Sequence, residues 1–344
     1  MILKDPGIAY WESVFTENII AGEKLILPYE GYVTKNYTDM EDIVFGSMGA
    51  SYTLWGTEGS LSYTQAVTAL TPEEYDAYIA RIDFYIKTIE DYNLGDYTKD
   101  YLVQLNLLRQ KVSITRIEKI VTDWIQGIEV VTCETHSTIR QPLNQQYSYQ
   151  YYQGAYDIQT GTGVGYNLPL PQEEYLEGLF NKPTHSDEKP IATRIWDSAK
   201  NIEAELRLVI SNNTLVNAKY SKLFTDIDKK IRQARNEQIR IIRTEGNRFA
   251  NQAIVDAGNA SGYIDQYKHI STLDEDTSDI CLARNGSIIN SKDLEVGVTQ
   301  PPLQPYCRSY LVPYISKGNV SGNNYFPTPE GITYEDWVQI VSQI

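Results

Sequence analysis

The sequence predicts a predominantly helical α+β protein, in which an N-terminal helical region precedes a helical domain closed by a small C-terminal β element. Several segments place apolar residues at helical spacing. Beyond Gly262 the pattern shortens to runs of strand length around the turn pair Asn285-Gly286. The 344-residue length and the 42% apolar content provide for a sizeable core.

Helical spacing predicts a first helix from Asp5 to Ile26. From Tyr29 to Leu70 no period persists among scattered glycines and aromatics, so loops with a short strand or turn are expected. A helix follows from Thr71 to Tyr92, where Thr71 is a capping residue and proline and two acids come next. A long apolar stripe predicts another helix from Thr98 to Val131.

The middle of the chain is compositionally biased. The run NQQYSYQYYQ, Asn144 to Gln153, favours a helix whose tyrosines both pack and reach water, and a disordered adhesive tract is the alternative. The glycines of Gly161 to Gly165 follow a helical pattern and lack the lysine of a nucleotide-binding loop, so we expect a linker. Asn167 to Asp187, rich in proline and acids, is the predicted domain boundary.

The second half of the chain is expected to be helical and then β-rich. Three helices are predicted: Ala192 to Ile210, Asn217 to Asp228, and Asp228 to Ala257. Gly258 is expected to stop the last of them, Asn285-Gly286 to form a hairpin turn, and Arg308 to Val312 to form a strand. Thr333 and Asp336 predict a cap for a short helix from Tyr334 to Ile344.

These elements suggest three parts along the chain. Residues 1–182 form a mainly helical region with an irregular segment at 29–70, residues 183–316 a core domain, and residues 317–344 a tail. No apolar run approaches the length of a membrane span, so we expect a soluble protein without a signal peptide or membrane partner. Three cysteines are too few for a disulfide framework and favour a reducing compartment.

The net charge of −15 argues against a protein that coats nucleic acid, so any DNA contact must be local. One helix departs from this acidity, with seven basic residues against two acids: Lys229, Lys230, Arg232, Arg235, Arg240, Arg243 and Arg248. A solvated face explains this pattern, and a contact with DNA phosphate or an acidic partner is the alternative.

Two polar residues interrupt the apolar seam of the same helix. Gln238 and Glu245 stand where apolar residues are expected. A buried glutamate needs a cation, so we expect Glu245 to face inward and pair with Arg308 or Arg194. The alternative is a surface glutamate that pairs with Arg248.

The sequence offers little chemistry for catalysis. It contains no metalloprotease, hydrolase or phosphate-loop motif. Cys133 and His136 could suggest a thiol beside a base, but coincidence on an ordinary helix is the better explanation. A group of four acids could hold a cation, although a solvated acidic turn is favoured. The four acids are Asp274, Glu275, Asp276 and Asp279. Cys281, Cys307 and nearby His269 supply three of the four ligands that structural zinc needs. We therefore expect no catalytic residue, metal or cofactor.

Four groups of residues, in order and at similar spacing, carry a family resemblance: Arg194-Ile195-Trp196, Arg240 to Glu245 (RIIRTE), Leu273 to Cys281 (LDEDTSDIC) with Asn285-Gly286, and Pro301 to Ser309 (PPLQPYCRS). They resemble the minor head proteins of tailed bacteriophages, the head morphogenesis family that includes phage Mu protein F. The likeness is clearest from Lys189 to Tyr314, and residues 29–70 carry no recognisable resemblance.

The resemblance implies a modified metal site. The family pattern has two cysteines separated by two residues, then a histidine and a cysteine separated by two residues. Here Ser278 replaces the first cysteine and Gln304 the histidine. We therefore expect a degenerate site in which Cys281 and Cys307 form a thiol pair rather than a disulfide. The residues expected in this structural clasp are Arg194, Trp196, Glu245, Ser278, Cys281, Gln304, Cys307 and Arg308.

The resemblance also implies a function. It describes a virion component made in the host cytoplasm and placed inside the head, where it associates with the portal and aids head assembly, DNA packaging or genome ejection. The portal protein is the implied partner, with viral double-stranded DNA and a capsid or scaffolding protein as further candidates. Two rival classes are a local DNA-binding module that uses the basic helix and an enzyme.

Overall fold

The computed structural model describes residues 1–56, 60, 62–183, 189–211, 219–315 and 318–341. The helices within these ranges are α1 (Ile8–Trp55), α2 (Tyr63–Val67), α3 (Pro72–Tyr92), α4 (Asp96–Arg109), α5 (Arg116–Thr138), α6 (Arg140–Thr162), α7 (Glu173–Asn181), α8 (Ile191–Ser211), α9 (Tyr220–Ser261), α10 (Asp279–Arg284) and α11 (Tyr334–Val341). The strands are β1 (Val164–Tyr166), β2 (Gln266–Ile270), β3 (Ile288–Asn290), β4 (Tyr310–Tyr314) and β5 (Tyr325–Pro327). The predicted class, α+β and predominantly helical, is confirmed.

The chain divides into two compact units, each assembled from separate stretches. The first unit contains Met1–Tyr29, Arg140–Ile191 and Arg240–Ile344. The second unit contains Glu30–Ile139 and Ala192–Ile239. The units are discontinuous in sequence, whereas the predicted ranges 1–182, 183–316 and 317–344 are continuous. Helices α1 and α9 contribute residues to both units.

Helix α1 is far longer than the predicted segment from Asp5 to Ile26, and the expectation of an irregular segment at 29–70 is wrong as far as Trp55 and again at α2. Residues 57–59 and 61 of that range lie outside the described residues. The helix continues because a buried stripe recurs every three or four residues: Val33, Tyr37, Met40, Val44, Met48, Tyr52 and Trp55. Helical glycine costs about 1 kcal/mol relative to alanine. Burial of these large side chains outweighs that cost at Gly31 and Gly46.

The helix predicted from Thr98 to Val131 is in fact two helices, α4 and α5. Between them Val112 is 98% exposed, so it does not belong to the buried stripe. Thr115 starts α5 through a capping box with Glu118, which stabilises a new helix end. The prediction for α3 is confirmed, since Thr71 forms the same box with Glu74.

The tyrosine-rich run lies within α6, which confirms the helical interpretation rather than the adhesive tract. The linker expected at Gly161 to Gly165 is wrong, because Val164–Tyr166 is the buried strand β1 and pairs antiparallel with β5. Gly165 is needed there, since a Cβ would lie 2.1 Å from the ring of Phe326.

The two helices predicted between Asn217 and Ala257 form one helix, α9, although Asn217 itself lies outside the described residues. Gly258 does not stop α9. A Cβ at Gly258 would lie 2.1 Å from the Tyr267 hydroxyl, so glycine lets β2 approach the helix closely. Helix α9 ends before Gly262, whose φ of +69° is in the left-handed region that favours glycine.

Strands β3, β2 and β4 form an antiparallel sheet in that order. The strand predicted at Arg308 to Val312 corresponds to β4. The hairpin turn predicted at Asn285-Gly286 does not by itself connect two strands, because the connection from β2 to β3 also contains α10. Asn285 ends α10 and accepts a hydrogen bond from the Ser271 backbone, while Gly286 donates to the His269 carbonyl.

The helix predicted from Tyr334 to Ile344 is present as α11, and residues 342–344 lie outside the described part of the chain. The Thr333 hydroxyl accepts the backbone N–H of Asp336, as the capping pattern predicts. Trp337, 1% exposed, anchors the helix by donating to the side-chain oxygen of Gln159 at 3.1 Å. Across the described ranges, no helix combines the length and apolar character that crossing a bilayer requires.

Candidate functional site

The four positions of the degenerate pattern meet at one small open pocket in the first unit. Ser278, Cys281, Gln304 and Cys307 all line it. Ser278 precedes α10 and Cys281 lies in the first turn of that helix. Gln304 and Cys307 lie in the segment that leads into β4. The fold therefore brings together residues that are 26 positions apart in the chain.

The two cysteines of this pocket are free thiols in contact. Their Sγ atoms are 3.7 Å apart, and each residue is 4% exposed. Burial raises the pKa of the Cys307 thiol, because the thiolate is poorly solvated there. The third cysteine, Cys133, lies in the second unit, where burial raises its pKa to about 12.

The other two positions serve the local backbone. The Ser278 hydroxyl accepts the Cys281 backbone N–H at 3.3 Å, which caps α10. The Gln304 carbonyl accepts the Cys307 N–H at 3.1 Å. The described part of the chain contains no group of three or more histidine, cysteine or acidic residues arranged to hold a metal ion. The pocket thus offers two soft ligands, whereas structural zinc takes four.

The acidic turn beside the pocket binds the side chain of an arginine from another segment. Arg308 donates to both carboxylate oxygens of Asp274, at 2.5 and 2.6 Å. This bidentate hydrogen bonding lowers the pKa of the Asp274 carboxyl. The Thr272 hydroxyl also donates to the Arg308 carbonyl. The predicted pairing of Arg308 with Glu245 is therefore wrong, since Arg308 pairs with Asp274 of this turn.

Glu245 faces inward, as its place in the seam predicts, and is 1% exposed. Its partner within the first unit is Arg248, whose Nε lies 2.6 Å from a Glu245 oxygen. Arg248 is 2% exposed, donates to the Leu179 carbonyl and lies over the ring of Phe249. A pairing of Glu245 with Arg194 stays a prediction. Removing one member of such a buried pair costs about 3–5 kcal/mol.

Burial removes Arg248 from the predicted DNA- or portal-contact residues, because no macromolecule can reach it in the folded unit. The remaining basic residues divide between the units. Lys229, Lys230, Arg232 and Arg235 belong to the second unit, and Arg240 and Arg243 to the first. Lys229, Arg232 and Arg243 are exposed, and the others are partly buried.

Acidic neighbours neutralise part of this basic run. Lys230 pairs with Glu205 at 2.8 Å, and Arg232 pairs with Asp228 at 3.0 Å. Gln238, the other polar residue of the seam, is fully buried and donates to the Ile195 carbonyl at 3.2 Å. The helix face is thus less positive than its residue count indicates.

Arg194 and Trp196, predicted to join the clasp, belong to the second unit, whereas its cysteines belong to the first. Trp196 packs in the second unit's core, where its indole N–H donates to His136 Nδ1 at 2.9 Å. His136 therefore accepts a hydrogen bond from Trp196, and burial keeps the Cys133 thiol neutral.

A polar row on α9, which the sequence analysis missed, attaches the clasp to the helix. The Asn247 amide donates to the Ser309 carbonyl at 3.0 Å, and the Thr244 hydroxyl accepts the Tyr306 N–H at 3.1 Å. The Ser309 hydroxyl donates to Ser271, which in turn donates to the Cys281 carbonyl at 2.7 Å. The available signal was the spacing of Thr244, Asn247 and Asn251, which places three polar residues on one helical face.

Comparison with known proteins agrees with this geometry. Residues 205–312 match the family model described as Phage Mu protein F like protein. Searches of curated proteins and of solved structures found no match. The matched segment contains the basic run of α9 and all four pocket residues. The resemblance drawn from the motifs is confirmed, and residues 205–312 of the chain are similar to the phage Mu protein F like family.

Proposed function

We propose that this protein is a minor head protein of a tailed bacteriophage, a structural component that the host cytoplasm supplies and the virion carries inside its head. The family match over residues 205–312 is the observation that carries this proposal. The convergence of Ser278, Cys281, Gln304 and Cys307 on one pocket supports it, because the family pattern requires these positions to meet.

We infer that the portal is its partner, and that the protein aids head assembly, DNA packaging or genome ejection. The net charge of −15 disfavours broad contact with DNA. The exposed residues Lys229 and Arg232 leave a limited basic surface on the second unit, suited to an acidic protein surface. A capsid or scaffolding protein and viral double-stranded DNA are the further candidate partners.

Co-expression of the full chain with the portal protein of the same phage tests this proposal. The protein should co-purify with the portal ring after nuclease treatment, and images of the complex should show added density. Replacing Lys229, Arg232 and Arg235 with glutamate should weaken the complex about tenfold or more, since each reversal removes favourable charge contacts. Lys87→Glu with Lys99→Glu, which reverses exposed lysines of α3 and α4 in the same unit, is the matched control.

The same variants separate the rival DNA-binding role. If the basic run binds DNA, affinity for duplex DNA should fall steeply with salt and should be lost in the variant. Binding to a portal ring without DNA favours the head-protein role. Burial of Arg248 and the ion pairs of Lys230 and Arg232 reduce the charge available to phosphate, so extensive DNA contact along the whole run is disfavoured.

A further inference from the structure

The thiol pair of the pocket differs from an ordinary buried cysteine in two ways. First, the Sγ atoms of Cys281 and Cys307 are only 3.7 Å apart, close to van der Waals contact. A disulfide bond is about 2.05 Å long, so the sulfurs need to approach by about 1.7 Å. Second, both residues line a pocket that opens at the protein surface, which gives a small reagent a route to them.

The surrounding contacts already hold the two cysteines together. The Ser271 hydroxyl donates to the Cys281 carbonyl at 2.7 Å and contacts the Ser309 hydroxyl, two residues beyond Cys307. Arg308 binds Asp274 on the α10 side of the pocket. These contacts hold the segments that carry the two cysteines side by side, so the thiols stay neighbours in the folded unit.

We propose that Cys281 and Cys307 form a thiol–disulfide site that low-molecular-weight disulfides, such as glutathione disulfide, convert to an intramolecular disulfide. One thiol loses its proton, and its sulfur attacks glutathione disulfide, which forms a mixed disulfide and releases one glutathione thiolate. The second cysteine, as its thiolate, then attacks the protein sulfur of that mixed disulfide. The second glutathione leaves, so two protein thiols are oxidised and one glutathione disulfide is reduced.

Oxidation should be confined to Cys281 and Cys307 and should spare the third cysteine, Cys133. Cys133 is fully buried in the second unit's core and has a pKa of about 12, so it supplies almost no thiolate at neutral pH. The raised pKa of Cys307 makes the reaction slow at neutral pH and faster at alkaline pH. In a reducing cytoplasm the pair stays as thiols, and it closes where disulfides predominate. This chemistry goes beyond the proposed role in the phage head and does not depend on it.

The test uses the purified full chain, incubated with glutathione disulfide and then denatured, alkylated and mapped by mass spectrometry. We expect a peptide pair joined through Cys281 and Cys307, a mass lower by two hydrogen atoms, and an alkylated Cys133. The unfolding midpoint should move to higher denaturant and return after treatment with dithiothreitol, because the bond closes a loop of the unfolded chain.

Two variants serve as controls. Cys133→Ser should still form the disulfide, whereas Cys307→Ser should stop at a glutathione adduct on Cys281. If circular dichroism shows that Cys307→Ser does not fold, disulfide mapping of the chain without substitutions still tests whether Cys281 and Cys307 become joined. Persistent glutathione adducts on the native protein, a disulfide that involves Cys133, or two unreacted pocket thiols would each overturn the proposal.

Discussion

The side-chain oxygen of Asn251 accepts the backbone N–H of Leu311 at 2.9 Å, which joins α9 to the first residues of β4. Both residues are fully buried. The Asn251 amide nitrogen also donates to the Asn247 and Ser309 carbonyls. A single side chain therefore satisfies polar backbone groups of both a helix and a strand where water cannot reach them.

Asn251→Leu should lower the free energy of unfolding by about 2–3 kcal/mol, because the Leu311 N–H and the Ser309 carbonyl lose a buried partner. Urea denaturation, followed by circular dichroism, measures the change. Asn259→Ala, at an exposed position of the same helix, is the control and should have little effect. An equal loss in both variants would contradict the role given to Asn251.

Tyr147→Phe should destabilise the first unit by about 1–3 kcal/mol, since its hydroxyl donates to Asp256 at 2.6 Å from a ring that is 1% exposed. Tyr175 donates to the same carboxylate oxygen at 2.7 Å and retains part of the interaction. Tyr149→Phe on the same helix controls for the loss of a hydroxyl. Thermal unfolding of the unmodified protein and the two variants, at the same protein concentration, should give Tyr147→Phe the lowest midpoint.

The burial of His269 should make the folded protein less stable in acid. The residue is fully buried in β2, neither ring nitrogen finds a hydrogen-bond partner among the described residues, and burial lowers its pKa to about 4. The unfolded chain binds a proton near pH 6.5, so the contribution of neutral His269 is present above that pH and is lost as pH falls toward 4. The full shift corresponds to roughly 3 kcal/mol.

His269→Leu should therefore flatten the stability profile between about pH 6.5 and 4, relative to the unmodified protein. Denaturant midpoints at a series of pH values give the difference between the two profiles. Parallel profiles over that range would show that His269 is accessible to protons in the folded state.

The burial of Glu203 should have the opposite effect and make the folded protein less stable as pH rises. It is 7% exposed in the second unit, and burial raises its pKa to about 7. A raised carboxyl pKa contributes stability that is present below the unfolded value, near 4.5, and is lost as pH rises through 7. Glu203→Gln should remove this loss, roughly 3 kcal/mol at most.

Unfolding of Glu203→Gln at pH 5 and pH 8 measures this difference, with Glu90→Gln, at an exposed site of α3, as the control. We expect Glu203→Gln to gain stability relative to the unmodified protein at pH 8. No gain at pH 8 would mean that a cation or water stabilises the ionised carboxylate.

Local signals predicted some elements well and failed at others for identifiable reasons. The capping box at Thr71 fixed the start of α3 because its chemistry is complete within four residues. Helix α1 was missed beyond Ile26 because its glycines obscured a stripe of tyrosines and methionines that only tertiary burial reveals. The same dependence on tertiary contacts explains Gly258, which suits the close approach of Tyr267 rather than a helix end.

The pocket could be predicted in part. The family resemblance implied that Cys281 and Cys307 would meet, and the sulfur distance of 3.7 Å agrees. The partners of Glu245 and Arg308 could not be predicted, because several nearby residues of suitable charge were available and only the backbone path decides among them. The polar row of Asn247 and Asn251 was missed because its partners, Ser309 and Leu311, are about 60 residues away in the chain.

Protease protection in purified particles tests the central claim most directly. Particles of the phage that encodes this chain would be treated with protease, washed and examined by quantitative mass spectrometry, with the major capsid and portal proteins as references. The account predicts that the protein is present in a few copies per portal ring and is cleaved only after the heads are opened. Absence from the particles, or cleavage while the heads are closed, would contradict it.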